Sequence, residues 1–363
     1  MSEPKTAPRA RHLIVALICA AGTILALMGF NWIVDPYGIR PADSFLRLRL
    51  KSRRAIEKNE YLHKAYALCH ERPETIYLGN SRVCVGLPAD DFRWKSRVYN
   101  AGITSAEPEQ ILAYLRHALC LGSVRRVVIG LDAVTFVGPH HPPPTFDREI
   151  LLQRAGDTME PALVSPGIFS MTAVVDSAKT LLRQSQPEKV AYFRGVRDPD
   201  AMRSQIKGDS AWASRRVLEI GQRLLRTAAA SDLKVDEARY EHAREIAELC
   251  RQHRVELIVF FLPIHEAYRA LIAAEGLAPR VDQAKQKVSA IFREANLPGF
   301  ILRDFSGALP QTADTNPEAV GSKIWSWWWE VSHFRTNLGE LILDDLTSAS
   351  SAANSPERKL QPN

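Results

Sequence analysis

Cysteine is scarce in this chain and poorly placed for metal. The 363 residues hold five, Cys19, Cys69, Cys84, Cys120 and Cys250, with no metal-ligand spacing among them, which argues against a zinc site. Four lie outside the first apolar run. They allow three disulfide pairings in an oxidising compartment, or they stay as buried free thiols. His140 and His141 are adjacent but lack a third ligand at a useful spacing, so no metal is expected. Nucleic-acid motifs are missing too, and no stacking aromatics interleave with the basic clusters. The net charge of +6 therefore does not imply a nucleic-acid partner. No internal repeat is visible. A composition of 46% hydrophobic and 24% charged residues argues against wholesale disorder.

What is present first is a long apolar run. Leu13 to Val34 carries no charge, and its 22 residues span about 33 Å as a helix, enough for a bilayer core. It ends in Phe30-Asn31-Trp32, not in the small residues of a cleavage site, and Trp32 suits an interfacial belt. Ile18 precedes Cys19, where a lipoprotein signal needs a small residue. The expectation is an uncleaved anchor over 12–34 after a short N-terminus, 1–11. Lys5, Arg9 and Arg11 favour keeping that N-terminus in the cytoplasm. Arg40, Arg47, Arg49, Lys51, Arg53 and Arg54 pull the other way, unless a helical linker over 35–69 lays them on anionic headgroups.

Beyond the linker the pattern alternates. Strands are expected at Thr75 to Leu78, Val98 to Gly102, Val127 to Asp132, Val255 to Pro263 and about Gly299 to Phe305. Helices are expected at about Ala106 to Leu121, Val235 to His253, Val281 to Ala295 and Asn337 to Leu346. Short β-rich runs alternating with helices predict an α/β fold, a parallel sheet with helices on both faces. The alternation lapses over 140–232, read as an insertion or lid. The stretch 347–363, rich in Ser, Ala, Asn and Pro, reads as a disordered tail.

Ile76-Tyr77-Leu78-Gly79-Asn80-Ser81-Arg82 runs from a strand into a glycine turn with a serine at its tip. Such a layout presents a hydroxyl at the C-terminal edge of a sheet. Much later comes Glu330-Val331-Ser332-His333. A serine early with a carboxylate and a histidine late is one chain order used by serine hydrolases. Gly79-Asn80-Ser81, Asn100-Ala101-Gly102, Gly130-Leu131-Asp132 and Glu330-Val331-Ser332-His333 together resemble the four blocks of the SGNH, or GDSL-like, hydrolase superfamily. The resemblance covers about residues 70 to 346 and implies a flavodoxin-like sheet. One N-terminal span, Asp35-Pro36-Tyr37-Gly38 after it and a degenerate SGNH domain also resemble bacterial envelope proteins of O-acylation, such as those of the alginate-acetylation type. That likeness implies an inner-membrane protein with its domain in the periplasm. It also implies a polysaccharide acyl acceptor and a membrane-bound acyltransferase as partner.

The residues support that chemistry on their own terms. His333 can take the Ser81 proton, and Glu330 can hold the imidazole tautomer. The amides of Ser81 and Gly102 are candidate oxyanion donors. No cofactor is needed. Asp132 stands where the family has asparagine, and an ionised aspartate repels an oxyanion; either it is held protonated, or it does another job such as binding Arg82 or a sugar hydroxyl. Asn80, Arg82, His265, Trp328 and Trp329 are candidate pocket residues. Trp325, Trp327, Trp328 and Trp329 suit stacking on a sugar or acyl group, or else core or interface packing. Two functions follow as expectations: a serine esterase or O-acyltransferase, or an inactive module that binds a glycan or partner.

Overall fold

The computed structural model describes residues 7–37, 56–57, 59–138, 169–184, 192–230 and 237–353. It opens with helix α1 (Ala7–Val34). The stretch Arg11–Val34 is long and apolar enough to cross a membrane. From residue 11 to 26 every side chain of α1 is exposed.

The domain is built on five parallel strands: β1 (Thr75–Gly79), β2 (Val98–Asn100), β3 (Arg126–Leu131), β6 (Glu256–Phe261) and β7 (Ile301–Asp304). Their order is β2-β1-β3-β6-β7, a doubly wound arrangement whose crossovers put helices on both faces. Ile76, Ile129 and Val259 point to one face, packed on α5 (Pro108–Cys120), α9 (Glu237–His253) and α11 (Ala278–Glu294). Tyr77, Val128, Ile258 and Phe260 point to the other, packed on α12 (Thr336–Ala353). Burial on both faces is why these strands read as continuous apolar runs without polar alternation. A single turn, α4 (Asp91–Trp94), leads into β2, and its Trp94 indole donates to the Tyr77 hydroxyl at 2.7 Å.

Each strand expected from the sequence forms, with ends shifted by a few residues. Helix α12 departs from expectation. It continues to Ala353, through residues whose composition suggested a tail. Thr347 and Ser348 return their hydroxyls to the carbonyls of Leu343 and Asp344 at 2.8 Å, which lets a Ser-rich turn stay helical. Ser350 also bonds Glu256 on β6. Residues 354–363, the basic stretch 38–55 and the His140-His141 pair lie outside the described residues. All five cysteines are free thiols.

The described part of the insertion holds α6 (Met171–Leu182), a small hairpin of β4 (Tyr192–Phe193) and β5 (Val196–Arg197), α7 (Pro199–Gln205) and α8 (Ser210–Ala230). Ahead of the sheet stands α2 (Glu60–Glu71). It buries Lys64 completely. The ammonium lies 3.5 Å from Glu60, 3.1 Å from the Cys84 sulfur and donates to the Gly102 carbonyl. Burial alone would raise the Glu60 pKa. The Lys64 charge and the Thr104 amide outweigh it and hold the carboxylate below its usual range.

Removing one half of a buried pair strands the other charge, at a cost of about 3–5 kcal/mol. Lys64→Met is therefore expected to lower the urea midpoint strongly, and Lys64→Met with Glu60→Leu to recover much of the loss. His63 makes a second prediction. Its Nδ1 donates to the Tyr37 carbonyl at 3.0 Å, and burial lowers its pKa from 6.5 to about 4. Between those values the unfolded chain takes a proton the folded chain refuses, so stability falls as pH drops through that window. Urea unfolding at about pH 5 and about pH 7 should differ by about 1–2 kcal/mol from this group, and His63→Gln should shrink the difference.

Candidate active site

Strand β1 ends at Gly79, whose φ of +148° lies in the region L side chains avoid. A Cβ there would stand 2.6 Å from the Gly130 carbonyl and 2.5 Å from Val83. The chain can turn tightly only because that position is bare. Asn80 caps the next helix, α3 (Ser81–Gly86), by accepting the Arg82 amide at 3.0 Å. Its side-chain oxygen is thus a cap and not a free pocket group. Ser81 is the first residue of α3, half-buried at the sheet edge.

The late carboxylate and histidine sit on a hairpin. Strands β8 (Trp328–Glu330) and β9 (His333–Phe334) pair antiparallel, with Glu330 opposite His333 across a two-residue turn. The turn makes the i,i+3 reach possible. His333 Nδ1 hydrogen-bonds Glu330 Oε1, and the other oxygen of Glu330 accepts the Ser332 amide at 2.7 Å. Glu330 is 2% exposed. Burial pushes its pKa up, but His333, the Ser332 N–H and the Arg82 charge together hold it below the usual carboxylate value. His333 Nε2 then accepts from Ser81 Oγ at 2.9 Å, across 252 positions of chain. Ser81, His333 and Glu330 form one connected chain of hydrogen bonds.

Helix α8 of the insertion secures this hairpin. Ser214 accepts the Val331 amide at 3.2 Å, and Ser210 accepts the Trp325 amide at 3.0 Å. Sequence reading missed both serines, since two serines four apart in a helix carry no signal of their own. Phe334 packs behind the histidine against Gly86, where a Cβ would run into its ring.

One oxyanion expectation needs correction. The Gly102 amide is spent inside the fold, donating to Asn100 Oδ1 at 3.0 Å. Asn100 itself is a clasp, with its amide on the Val83 and Leu87 carbonyls at 2.8 and 2.9 Å. Gly102 is small because its backbone approaches α3, where a Cβ would be 2.9 Å from the Cys84 nitrogen. It is no oxyanion donor here. The Ser81 amide has no partner among the described residues, as the first amide of a helix ordinarily lacks one.

Asp132 takes the Arg82 role. The register pairs Gly79 with Gly130, so the turns that carry Ser81 and Asp132 leave the same edge of the sheet. Asp132 Oδ2 lies 3.4 Å from Arg82 Nη1, with both side chains almost wholly buried. Its other oxygen caps the following turn through the Val134 amide at 3.1 Å.

Trp328 and Trp329 belong to the core. Trp328 is fully buried and donates to the Gln311 carbonyl at 2.8 Å. Trp329 is 4% exposed, with the guanidinium groups of Arg203 and Arg335 near its ring at 5.7 and 4.8 Å. Both arginines pair with Glu318, at 2.8 and 2.7 Å. Neither ring is open to a sugar; Trp325 and Trp327 are half-buried.

His265 stacks on Trp325 at 5.4 Å and meets Trp328 edge-on. It caps α10 (Glu266–Ala274), accepting the Ala267 amide on Nδ1 at 3.1 Å. The proton is therefore on Nε2, and burial lowers its pKa. Three buried N–H groups near this edge have no hydrogen-bond acceptor: Arg82 Nη1, His265 Nε2 and Arg269 Nη1. Tyr268 precedes Arg269, and its ring lies 5.9 Å from the Arg82 guanidinium. Sequence reading missed Tyr268 and Arg269, on a short helix it did not foresee.

No protein-family model matches the chain, and no curated protein matches it either. Function therefore rests on the geometry. Among the described residues no cluster of three or more His, Cys, Asp or Glu could hold a metal ion.

The hairpin's seat can be tested by crowding it. Gly86→Ala pushes a methyl into Phe334 and is expected to cost about 1–3 kcal/mol by overpacking. Urea unfolding reads the loss, and adding Phe334→Leu should restore part of it.

Proposed function

We propose that the chain is a membrane-anchored serine esterase or O-acyltransferase of SGNH type, acting through Ser81, His333 and Glu330. The observation that carries the reading is the 2.9 Å contact from His333 Nε2 to Ser81 Oγ, with the imidazole held on its far side by a buried carboxylate. A hydroxyl is a poor nucleophile until a base takes its proton. His333 takes it as Ser81 Oγ bonds the acyl carbon. The C–O bond to the leaving alcohol then breaks, and His333 returns the proton to that alcohol. Water or an acceptor hydroxyl next attacks the acyl-serine with His333 again as base, the acyl–Oγ bond breaks, His333 returns the proton to Ser81 Oγ, and the acyl group leaves on the new oxygen. Glu330 stays ionised throughout and stabilises the imidazolium.

The oxyanion arrangement differs from the one the family resemblance implies. With the Gly102 amide spent, the Ser81 amide remains, and the next residue carries the Arg82 guanidinium, whose Nη1 is ion-paired with Asp132 but makes no hydrogen bond. Arg82 supplies the donor that Asp132 cannot, while Asp132 holds the guanidinium in place. The strand order β2-β1-β3-β6-β7 fits a flavodoxin-like SGNH domain. The apolar α1 supports single-pass anchoring; a bacterial inner membrane with the domain on the periplasmic side follows from the family resemblance. The acceptor class consistent with the family resemblance is an envelope or exported polysaccharide, delivered with a membrane-bound acyltransferase.

The second reading is an inactive SGNH-like module that binds a glycan or partner. The spent Gly102 amide and the Asp132 carboxylate favour it, because losing one oxyanion donor costs about 10²–10³ in rate.

A fluorophosphonate probe separates the two. On the full chain in membranes, an active enzyme is labelled at Ser81, located by mass spectrometry. Ser81→Ala should abolish the label and His333→Ala should slow labelling by about 10²–10⁴. Arg82→Gln with Asp132→Asn, which keeps the pair neutral and buried, should slow it by about 10²–10³. No label on the folded chain selects the binding module.

A further inference from the structure

Helix α6 has no part in the triad, yet it has two clearly different faces. Its buried side chains are Ala173, Ser177 and Thr180, spaced i, i+4, i+7 on one side. That side lies on the last turns of α1. Ser177 Oγ donates to Asn31 Oδ1 at 3.0 Å, and just beyond α1 the Tyr37 hydroxyl donates to Asp176 at 3.2 Å. Small residues let helices approach closely, and a hydroxyl-to-amide bond between them is how membrane helices satisfy a polar group. It also accounts for Asn31, which is 2% exposed in an otherwise apolar run.

The opposite side carries Met171, Val175, Ala178 and Leu182, at i, i+4, i+7 and i+11. Met171 is 70% exposed, Val175 47% and Leu182 82%, with Phe169 at 64% just before the helix. Lys179 and Arg183 are exposed beside this line. Trp32 and Ile33, on the last turns of α1 against which α6 packs, are exposed as well. On α1, exposure falls from Leu27 onward. Leu27 lies about 10 Å before Val34 along a helix axis, which is the depth of the boundary between headgroups and acyl chains.

We infer that α6 is a second membrane-contacting element, laid against the exit turns of α1 with its Met171-Val175-Ala178-Leu182 line in the acyl chains of the lipid leaflet. Lys179 and Arg183 extend from it to the headgroups. The inference rests on reading α1 as a membrane span. Lipid is the occupant because the line sits at the depth of the span's own end, where acyl chains already cover Trp32 and Ile33.

The test uses the full chain in vesicles of phosphatidylcholine and phosphatidylglycerol. A trace of phosphatidylcholine carries a diazirine on its acyl chain. After irradiation, mass spectrometry should find lipid adducts on α1 and on the peptide spanning 169–182. Val175→Asp with Leu182→Asp should lower the α6 adducts by at least about tenfold and leave those on α1. Adducts on α1 with none on α6 overturn the inference and leave the anchor. No adducts on α1 overturn the anchor reading and this inference with it. A change of oligomeric state in the double variant, with no α6 adducts in the unchanged chain, assigns the face to a second copy and also overturns it.

Discussion

The six residues of α3 are wedged among neighbours that leave no room for a Cβ. Gly79 passes under Val83 and the Gly130 carbonyl, Gly102 passes against the Cys84 nitrogen, and Gly86 lies under the Phe334 ring. Each contact fixes one side of the short helix that carries Ser81. The sheet holds its start, the loop after β2 holds its flank, and the β8–β9 hairpin holds its end. A hydroxyl can meet an imidazole 252 positions away because both are seated on the same small helix.

Charge around the triad is arranged in two tiers. Glu330 is buried and ionised, and its field is answered by His333 and Arg82. Arg82 is in turn answered by Asp132 at 3.4 Å. A carboxylate at the nucleophile's edge of the sheet looks hostile to an oxyanion when read alone. Paired with a guanidinium it becomes part of a neutral unit; Arg82 Nη1, which faces Asp132, makes no hydrogen bond of good geometry, and a buried donor left so carries a standing cost of about 1–3 kcal/mol. An oxygen arriving there relieves that cost.

Much of the fold was legible because it lies in local pattern. The apolar runs Val127 to Leu131 and Leu257 to Phe261 announce strands buried on both faces, and Gly79-Asn80-Ser81 announces the turn. Glu330 and His333 were legible by spacing, since a two-residue hairpin brings i and i+3 together. What stayed hidden depends on partners distant in sequence. Nothing near Gly102 says that Asn100 will fold back onto its amide. Trp328 and Trp329 look like a binding platform until the Gln311 carbonyl and two arginines claim them. Ser210 and Ser214 gain meaning only when α8 reaches the hairpin. The end of α12 was missed because Ser-rich composition masks hydroxyls that bond back along the helix.

Tyr37 gives the anchor a mechanical role. Its carbonyl holds His63, its hydroxyl holds Asp176, and the next residue after His63 is the Lys64 that grips the Gly102 carbonyl. The domain is thus bolted to the end of α1 instead of hanging from a tether. With α1 in a bilayer, these contacts would set the distance of Ser81 from the membrane surface. Under the proposed esterase reading, a substrate would have to be brought to Ser81 instead of being reached by a swinging domain.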